Sequence, residues 1–457
     1  MQKILNSLFF ELTVKQWLFI CLVISAAIGA GISYGNVYLF HIFLVLNVFY
    51  IGILKINHLK EKFSYVLDKK NKMNYFFVFS IVWFLLLLPF AESKYFAIRH
   101  LIFITQGFLL CLIVVENVRD FSRFRYLFKG LSVIYIIALV IGVLESLQIL
   151  RWPISRISKY NHLFARENEI FEILSKTKYP EYVNSMPTGF HWNPNDYSTF
   201  VLLGLPFFLL CKNIYVSLIG LTTTVLLILA AGSKLAFLGV IVIIIVSSFI
   251  LFKKYYKNIL YLFFLVIFIS TNGFTLLQGE FLKVNEMQGL VLPWMPLPTS
   301  PDKIVDDFDH LDSNSQGYRV MLIQEGIEMI KEDPLFGVGG GNSQYLLQKK
   351  GGVGFDKLTN IHNFWFELLI EGGIIYFLVF VFWCWILLKF LFKHHKNNNI
   401  SEEKRYYISA FFLSSIGLLI SGVASSSMIA FLPLYLFIGA LVALYHIIKT
   451  DENIISL

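Results

Sequence analysis

A chain of 457 residues with 57% hydrophobic and only 15% charged side chains lacks the polar surface a soluble globular protein needs. Its mean hydropathy of +0.67 and its recurring apolar runs of about 18 residues or more point instead to a polytopic membrane protein. The net charge of +8 does not call for a nucleic-acid partner, because the lysines gather in short loops between apolar runs, where membrane topology accounts for them.

At the N-terminus, Met1 to Gln16 has no small-residue cleavage site, which predicts a retained anchor led by a short amphipathic helix on the inner leaflet. An all-α bundle of about twelve transmembrane helices follows. The predicted spans are 17–34, 37–54, 74–91, 97–115, 127–149, 195–211, 214–231, 235–252, 258–277, 364–391, 406–424 and 427–447. Loops joining even to odd spans are basic (KINHLKEKFSYVLDKKNK, NVRDFSRFR, KKYYK, KHHKNNNISEEKR). Those on the other side (GN, ESKY, AGS, ASSS) hold almost no clustered base. The positive-inside rule therefore predicts that both termini are cytoplasmic.

Two long loops, 151–194 and 278–361, then fall outside. The predicted organisation is a bundle of spans one to nine over 1–277, a large extracytoplasmic loop between spans nine and ten over 278–363 with a short amphipathic helix, and spans ten to twelve over 364–457. No internal repeat stands out, which argues against an inverted-repeat transporter. Cys21, Cys111, Cys211 and Cys384 all lie in apolar runs, where they pack as small hydrophobes.

The candidate functional residues cluster at the outer ends of these spans. Arg99 and His100 open the fourth span, and Lys234 opens the eighth within AAGSKLAFLG. A cation there either snorkels to the interface or meets a lipid-borne phosphate. Asn193-Pro194-Asn195-Asp196 reads as a turn and helix cap. Asp306, Asp307, Asp309 and Asp312 admit a divalent-metal site, but a solvated acidic loop is the simpler reading. From Arg319 onward, Val320, Ile323, Ile327 and Ile330 recur at helical spacing and predict one buried face. Pro334 ends that helix, and GVGGGNS forms a turn that lets backbone approach closely. Without a Gly-Lys-Ser/Thr ending or a preceding strand, it is not a phosphate loop. In NIHNFWFELLIEGG, Asn363, Glu367 and Glu371 are spaced by four and predict a polar stripe facing protein or a wet cavity. His362 stands just before it as a candidate general base that Glu367 could orient.

RVMLIQEGIEMIKEDPLFGVGGGNS and IHNFWFELLIEGGIIYFLVFVFW resemble the C-terminal signature of the O-antigen ligase and Wzy-type polysaccharide polymerase superfamily. GFHWNPNDYSTF and AAGSKLAFLG are similar to two further motifs of that group, and the aromatic FHWNPNDY form looks most like its teichuronic-acid and exopolysaccharide polymerase branch. The resemblance is specific from about Gly189 to Gly373. It implies a bacterial plasma-membrane enzyme that transfers a glycan from undecaprenyl diphosphate on the outer face. The acceptor is another lipid-linked glycan in a polymerase, or a terminal acceptor in a ligase. It further implies metal-independent, inverting chemistry with no cofactor, and it leaves room for a chain-length regulator and a flippase as partners. His362 matches the motif base and Arg319 the basic position heading the loop helix. Lys234 stands where the family commonly has arginine, so it offers charge without a bidentate fork. A lipid-sugar flippase is the reading from another class. It would need charges deep within several spans, whereas here they gather at the rim.

Overall fold

The computed structural model describes residues 13–52, 72–166, 180–268, 315–353, 358–397, 399–423 and 428–455. The expected amphipathic helix at the N-terminus and the acidic loop around Asp306 to Asp312 fall largely or wholly outside these residues. Polar caps punctuate the apolar runs and set where helices begin. Thr13 forms a capping box with Gln16 ahead of α1 (Val14–Ile28). A two-residue-per-strand hairpin (β1 Ser33–Tyr34, β2 Val37–Tyr38) leads into α2 (Leu39–Gly52). After α3 (Tyr75–Leu87), Ser93 caps α4 (Lys94–Asn117) and Asp120 caps α5 (Phe121–Ser146). A short α6 (Pro180–Ser185) precedes α7 (Pro194–Leu209), and Asn213 caps α8 (Ile214–Ala230).

The eighth and ninth predicted spans fall in α9 (Lys234–Phe268), where two helical stretches meet at a kink at Tyr255 (φ -120°, ψ 21°). Beyond it lie α10 (Ser315–Glu332), α11 (Asn342–Lys349), α12 (Phe364–His395), α13 (Glu402–Ser421) and α14 (Leu432–Ile455).

Among the described residues, six stretches are long and apolar enough to cross a membrane: 14–31, 94–117, 121–146, 234–251, 364–395 and 432–452. Three shorter apolar helices, at 39–50, 72–87 and 214–230, accompany them. The chain is thus a mostly helical, polytopic membrane protein. Large apolar side chains that face outward, such as Phe249 (87% exposed) and Leu378 (58%), belong against hydrocarbon rather than water. α14 is the most enclosed helix and packs on α1, α4 and α5, while α13 packs on α7, α9 and α12.

α12 is broken near its start. Gly373 has φ 73° and ψ 175°, a conformation closed to L side chains, so the helix interrupts after two turns. The carbonyls freed by the break are not left dry. Val338 N donates to Ile370 O (2.9 Å), Gly339 N to Glu371 O (3.1 Å), and Trp83 Nε1 to Gly372 O (3.0 Å). On the far side of the break, Ile374 N donates to Pro334 O (3.0 Å). The glycine-rich turn is therefore a part of the helix break, supplying the hydrogen bonds that the helix cannot make for itself.

α10 lies where a loop helix was expected, but it buries a different face. Leu322, Gly326 and Met329 are buried, whereas Val320 (51% exposed) and Ile327 (41%) point outward. The cause is Gly326, since a Cβ there would come within 2.4 Å of Ile370 and 2.6 Å of Phe366. A notch that admits two large side chains outweighs the stripe of β-branched residues. Leu322, Met329, Leu347, Val353, Ile361 and Ile370 form a small second core beneath it. The described part of the loop is thereby fixed onto the first half of α12.

Candidate active site

His362 sits at the junction of this second core and α12. It lies outside the helix, in the left-handed region at φ 52°, and Asn363 is the N-cap, its Oδ1 accepting from Phe366 N (3.2 Å). Phe364 N donates to Gly422 O (3.1 Å) and Trp365 Nε1 to Leu419 O (2.9 Å), so the end of α13 holds the start of α12 from the other side. The imidazole is thus presented by a strained backbone pinned on both flanks.

Burial, followed by the charges of Arg319 and Arg156, pushes the His362 pKa down to about 4. The ring is then neutral at physiological pH, the form in which it can accept a proton. Arg319 is half-buried, and desolvation holds its guanidinium below its ordinary value. It remains a cation, as arginine does in proteins. Among the described residues it has no carboxylate partner. A buried cation without its own anion is suited to receive one from a ligand.

The charged groups acting on the His362 ring are Arg319 and Arg156. Glu367 lies in the first turn of α12, its N donating to Asn363 O (2.8 Å).

Glu371, the last member of the expected stripe, is 1% exposed and structural. It accepts from Gly341 N (2.9 Å), from Ser343 Oγ and from His100 Nδ1 (2.9 Å), so one carboxylate ties the glycine turn to both α4 and α12. Gly341 has φ 69°, and a Cβ there would lie 2.6 Å from Phe96 O. Arg99, one position before His100, donates to Gln344 Oε1 of α11 and lies 4.8 Å over the Phe96 ring. It too joins α4 to the loop. Lys234 is the exposed first residue of α9 and makes no hydrogen bond or ion pair among the described residues.

The 193–196 motif is a helix cap. Asn193 Oδ1 accepts from Asp196 N (2.9 Å), its Nδ2 donates to Asp196 Oδ2 (2.7 Å), Pro194 takes the first helical position, and Asn195 is half-buried beside it. His191, just upstream, is buried against Phe200 and Phe431, and burial lowers its pKa to about 3. The loop before it is organised by Glu145, fully buried at the end of α5. That carboxylate accepts from the backbone N–H groups of Trp152 (2.9 Å), Thr188 (2.6 Å) and Gly189 (2.7 Å), with Arg151 Nη1 at 3.5 Å.

Arg156, on this same loop, was not singled out from sequence because no motif surrounds it. Its signal is composition: 151–166 is base-rich and free of acid. Among the described residues there is no group of three His, Cys, Asp or Glu side chains placed to hold a metal ion.

Residues 219–381, which span Lys234, Arg319, the glycine turn, His362 and the break in α12, match the family model described as O-Antigen ligase. That segment is thus similar to the O-antigen ligase domain. The chain is also 24% identical over 391 residues to the teichuronic acid biosynthesis protein TuaE of Bacillus subtilis (strain 168), an alignment covering 83% of this chain and 72% of that one. Both similarities support O-antigen ligase or polymerase-type glycan processing.

Proposed function

We propose that this protein polymerises undecaprenyl-diphosphate-linked oligosaccharide repeat units into a surface polysaccharide, on the outer face of a bacterial plasma membrane with both termini inside. The observation that carries the reading is a buried His362, kept neutral by burial and by the charges of Arg319 and Arg156, with Arg319 meeting no carboxylate among the described residues. His362 takes the proton from the acceptor hydroxyl as the oxygen attacks the anomeric carbon, with inversion, and the lipid diphosphate departs with the bonding pair. Diphosphate leaves readily, so alignment and charge stabilisation supply most of the catalysis. Arg319 offers a fork for its oxygens and Lys234 a point charge.

An apolar cavity of about 300 Å³ lies between α5, α7, α13 and α14. Its walls include Ala27, Tyr135, Phe200, Tyr406 and Phe437, and it gives room to part of a polyprenyl tail. Phe200, one of its wall residues, also packs against His191 of the outer loop, 4.8 Å between ring centres.

The relative's role in teichuronic acid biosynthesis favours a polymerase. Transfer of the finished glycan to a terminal acceptor, as by a ligase, is the second reading, since the matched domain is described as an O-antigen ligase. Purified protein given lipid-linked oligosaccharide alone decides between them. A ladder of longer lipid-linked chains is expected; no elongation until a second acceptor is added would identify a ligase instead.

A further inference from the structure

The first part of the outer loop, RWPISRISKYNHLFAR, 151–166, carries four Lys or Arg residues ahead of the glutamates that begin at Glu167. Clustered base is uncommon on the outer side, and three of these four charges have a setting already described or evident. Arg151 serves Glu145 and also donates to the carbonyls of Met186 (2.7 Å) and Asn184. Lys159 lies over the Tyr160 ring at 5.0 Å. Arg156 stands beside His362. Arg166 remains, and its setting is distinctive.

The Arg166 guanidinium is 5.0 Å from the Trp192 ring centre and 5.7 Å from that of Tyr38. Its Nη2 donates to Ser33 Oγ (3.2 Å), and its Nε is buried without an acceptor. No carboxylate among the described residues meets it. The surrounding wall is rigid: Gly35 N donates to Phe164 O (2.7 Å), Trp152 Nε1 to Gly31 O (2.7 Å), and Trp152 packs edge-on to Phe190. The same wall reaches the candidate base, because Trp192 O accepts from Arg156 N (3.0 Å). A guanidinium packed against aromatic rings offers its N–H edge, and that edge matches a planar carboxylate. Aromatic rings beside it suit the C–H faces of a pyranose.

We propose that Arg166, walled by Trp192 and Tyr38, is a subsite for the carboxylate of an acidic sugar in the acceptor glycan. The proposal rests on the glycan-transfer reading above and adds a substrate class to it. The donor diphosphate is the other possible source of an anion, and the bonds of a purely structural staple would look similar, so the test separates all three.

Full-length protein in detergent is titrated calorimetrically with a free disaccharide ending in a hexuronic acid, with its neutral hexose counterpart, and with inorganic diphosphate. The acidic sugar is expected to bind about tenfold tighter than the neutral one, the scale of one charge-assisted hydrogen bond. Arg166→Gln should erase that preference and leave diphosphate affinity unchanged. Arg166→Lys, which keeps a cation between the rings, should retain part of it and decides the matter if the glutamine variant does not fold. Equal affinity for the two sugars in the unaltered protein would overturn the proposal, as would a preference that survives both substitutions. Diphosphate affinity falling alongside would assign Arg166 to the leaving group and overturn it as well. Because binding is read without transfer, failure here with normal elongation refutes only this subsite. Normal sugar binding without elongation would refute only the polymerase reading.

Discussion

The two ends of the bundle differ in how several of their cations are paired. At the end carrying the basic loops, Arg125 meets Glu403 (2.5 Å), Lys212 and Lys254 share Glu402 (2.5 and 2.7 Å), and Lys404 meets Asp451 (2.5 Å). These exposed or half-exposed pairs join helix starts and ends, each worth little by itself. The opposite end has paired surface lysines too, Lys349 with Glu92 and Lys350 with Glu325. Yet Arg319, Lys234 and Arg166 meet no carboxylate among the described residues. Charge that satisfies itself anchors a fold, and charge left over at a partly buried rim waits for an anion.

The sharpest way to break this contrast is at the candidate base. His362→Ala should lower elongation by about two to four orders of magnitude, the usual contribution of a positioned base, with protein level in the membrane unchanged. Normal elongation would remove His362 from the chemistry.

Arg319→Gln comes next, with about a ten- to hundredfold loss in kcat/KM, as expected for an unreplaced charged hydrogen bond. It should also move the pH profile. In the unaltered protein the acid limb of kcat/KM, which reports the free enzyme, should lie near 4, because His362 is held down to about 4 by burial and the two arginines. Removing one cation raises that pKa toward 6.5 without reaching it, since burial is the larger cause. An unshifted limb would separate Arg319 from His362.

The anchoring side of the outer end is tested by Glu371→Ala, which strands the Gly341 amide and the Ser343 hydroxyl. A buried donor left without an acceptor costs about 1–3 kcal/mol, so the melting temperature in detergent should drop clearly. Gly341→Ala should do likewise, through both its φ and its closeness to Phe96 O. The smallest effect belongs to Glu402→Gln at the other end. It should leave elongation within about twofold and barely change melting, because exposed pairs contribute little. A large loss of elongation there would dissolve the contrast between the two ends.

Much of the architecture was legible because hydropathy and lysine placement are local signals. The expected spans fall on helices at least in part, and the four motif segments sit at one end. The Asn193 cap and the stop before Pro334 were readable for the same reason, being set by neighbours in the chain. Two features were not. The buried face of α10 was misread, since a glycine notch counts for nothing in an apolar pattern. The break in α12 was hidden within EGG, because its hydrogen bonds come from Pro334 to Gly341 and from Trp83, far away along the chain.

The sequence by itself determined that this chain lives in a membrane, where its helices run and which motifs crowd one rim, because these follow from composition and short-range periodicity. Only the tertiary structure decided which charges are spent and which remain. It set Glu371 to holding a helix break and left Arg319 and Arg166 without carboxylate partners among the described residues. Pairing depends on distances between segments up to hundreds of residues apart, and no local pattern encodes those distances.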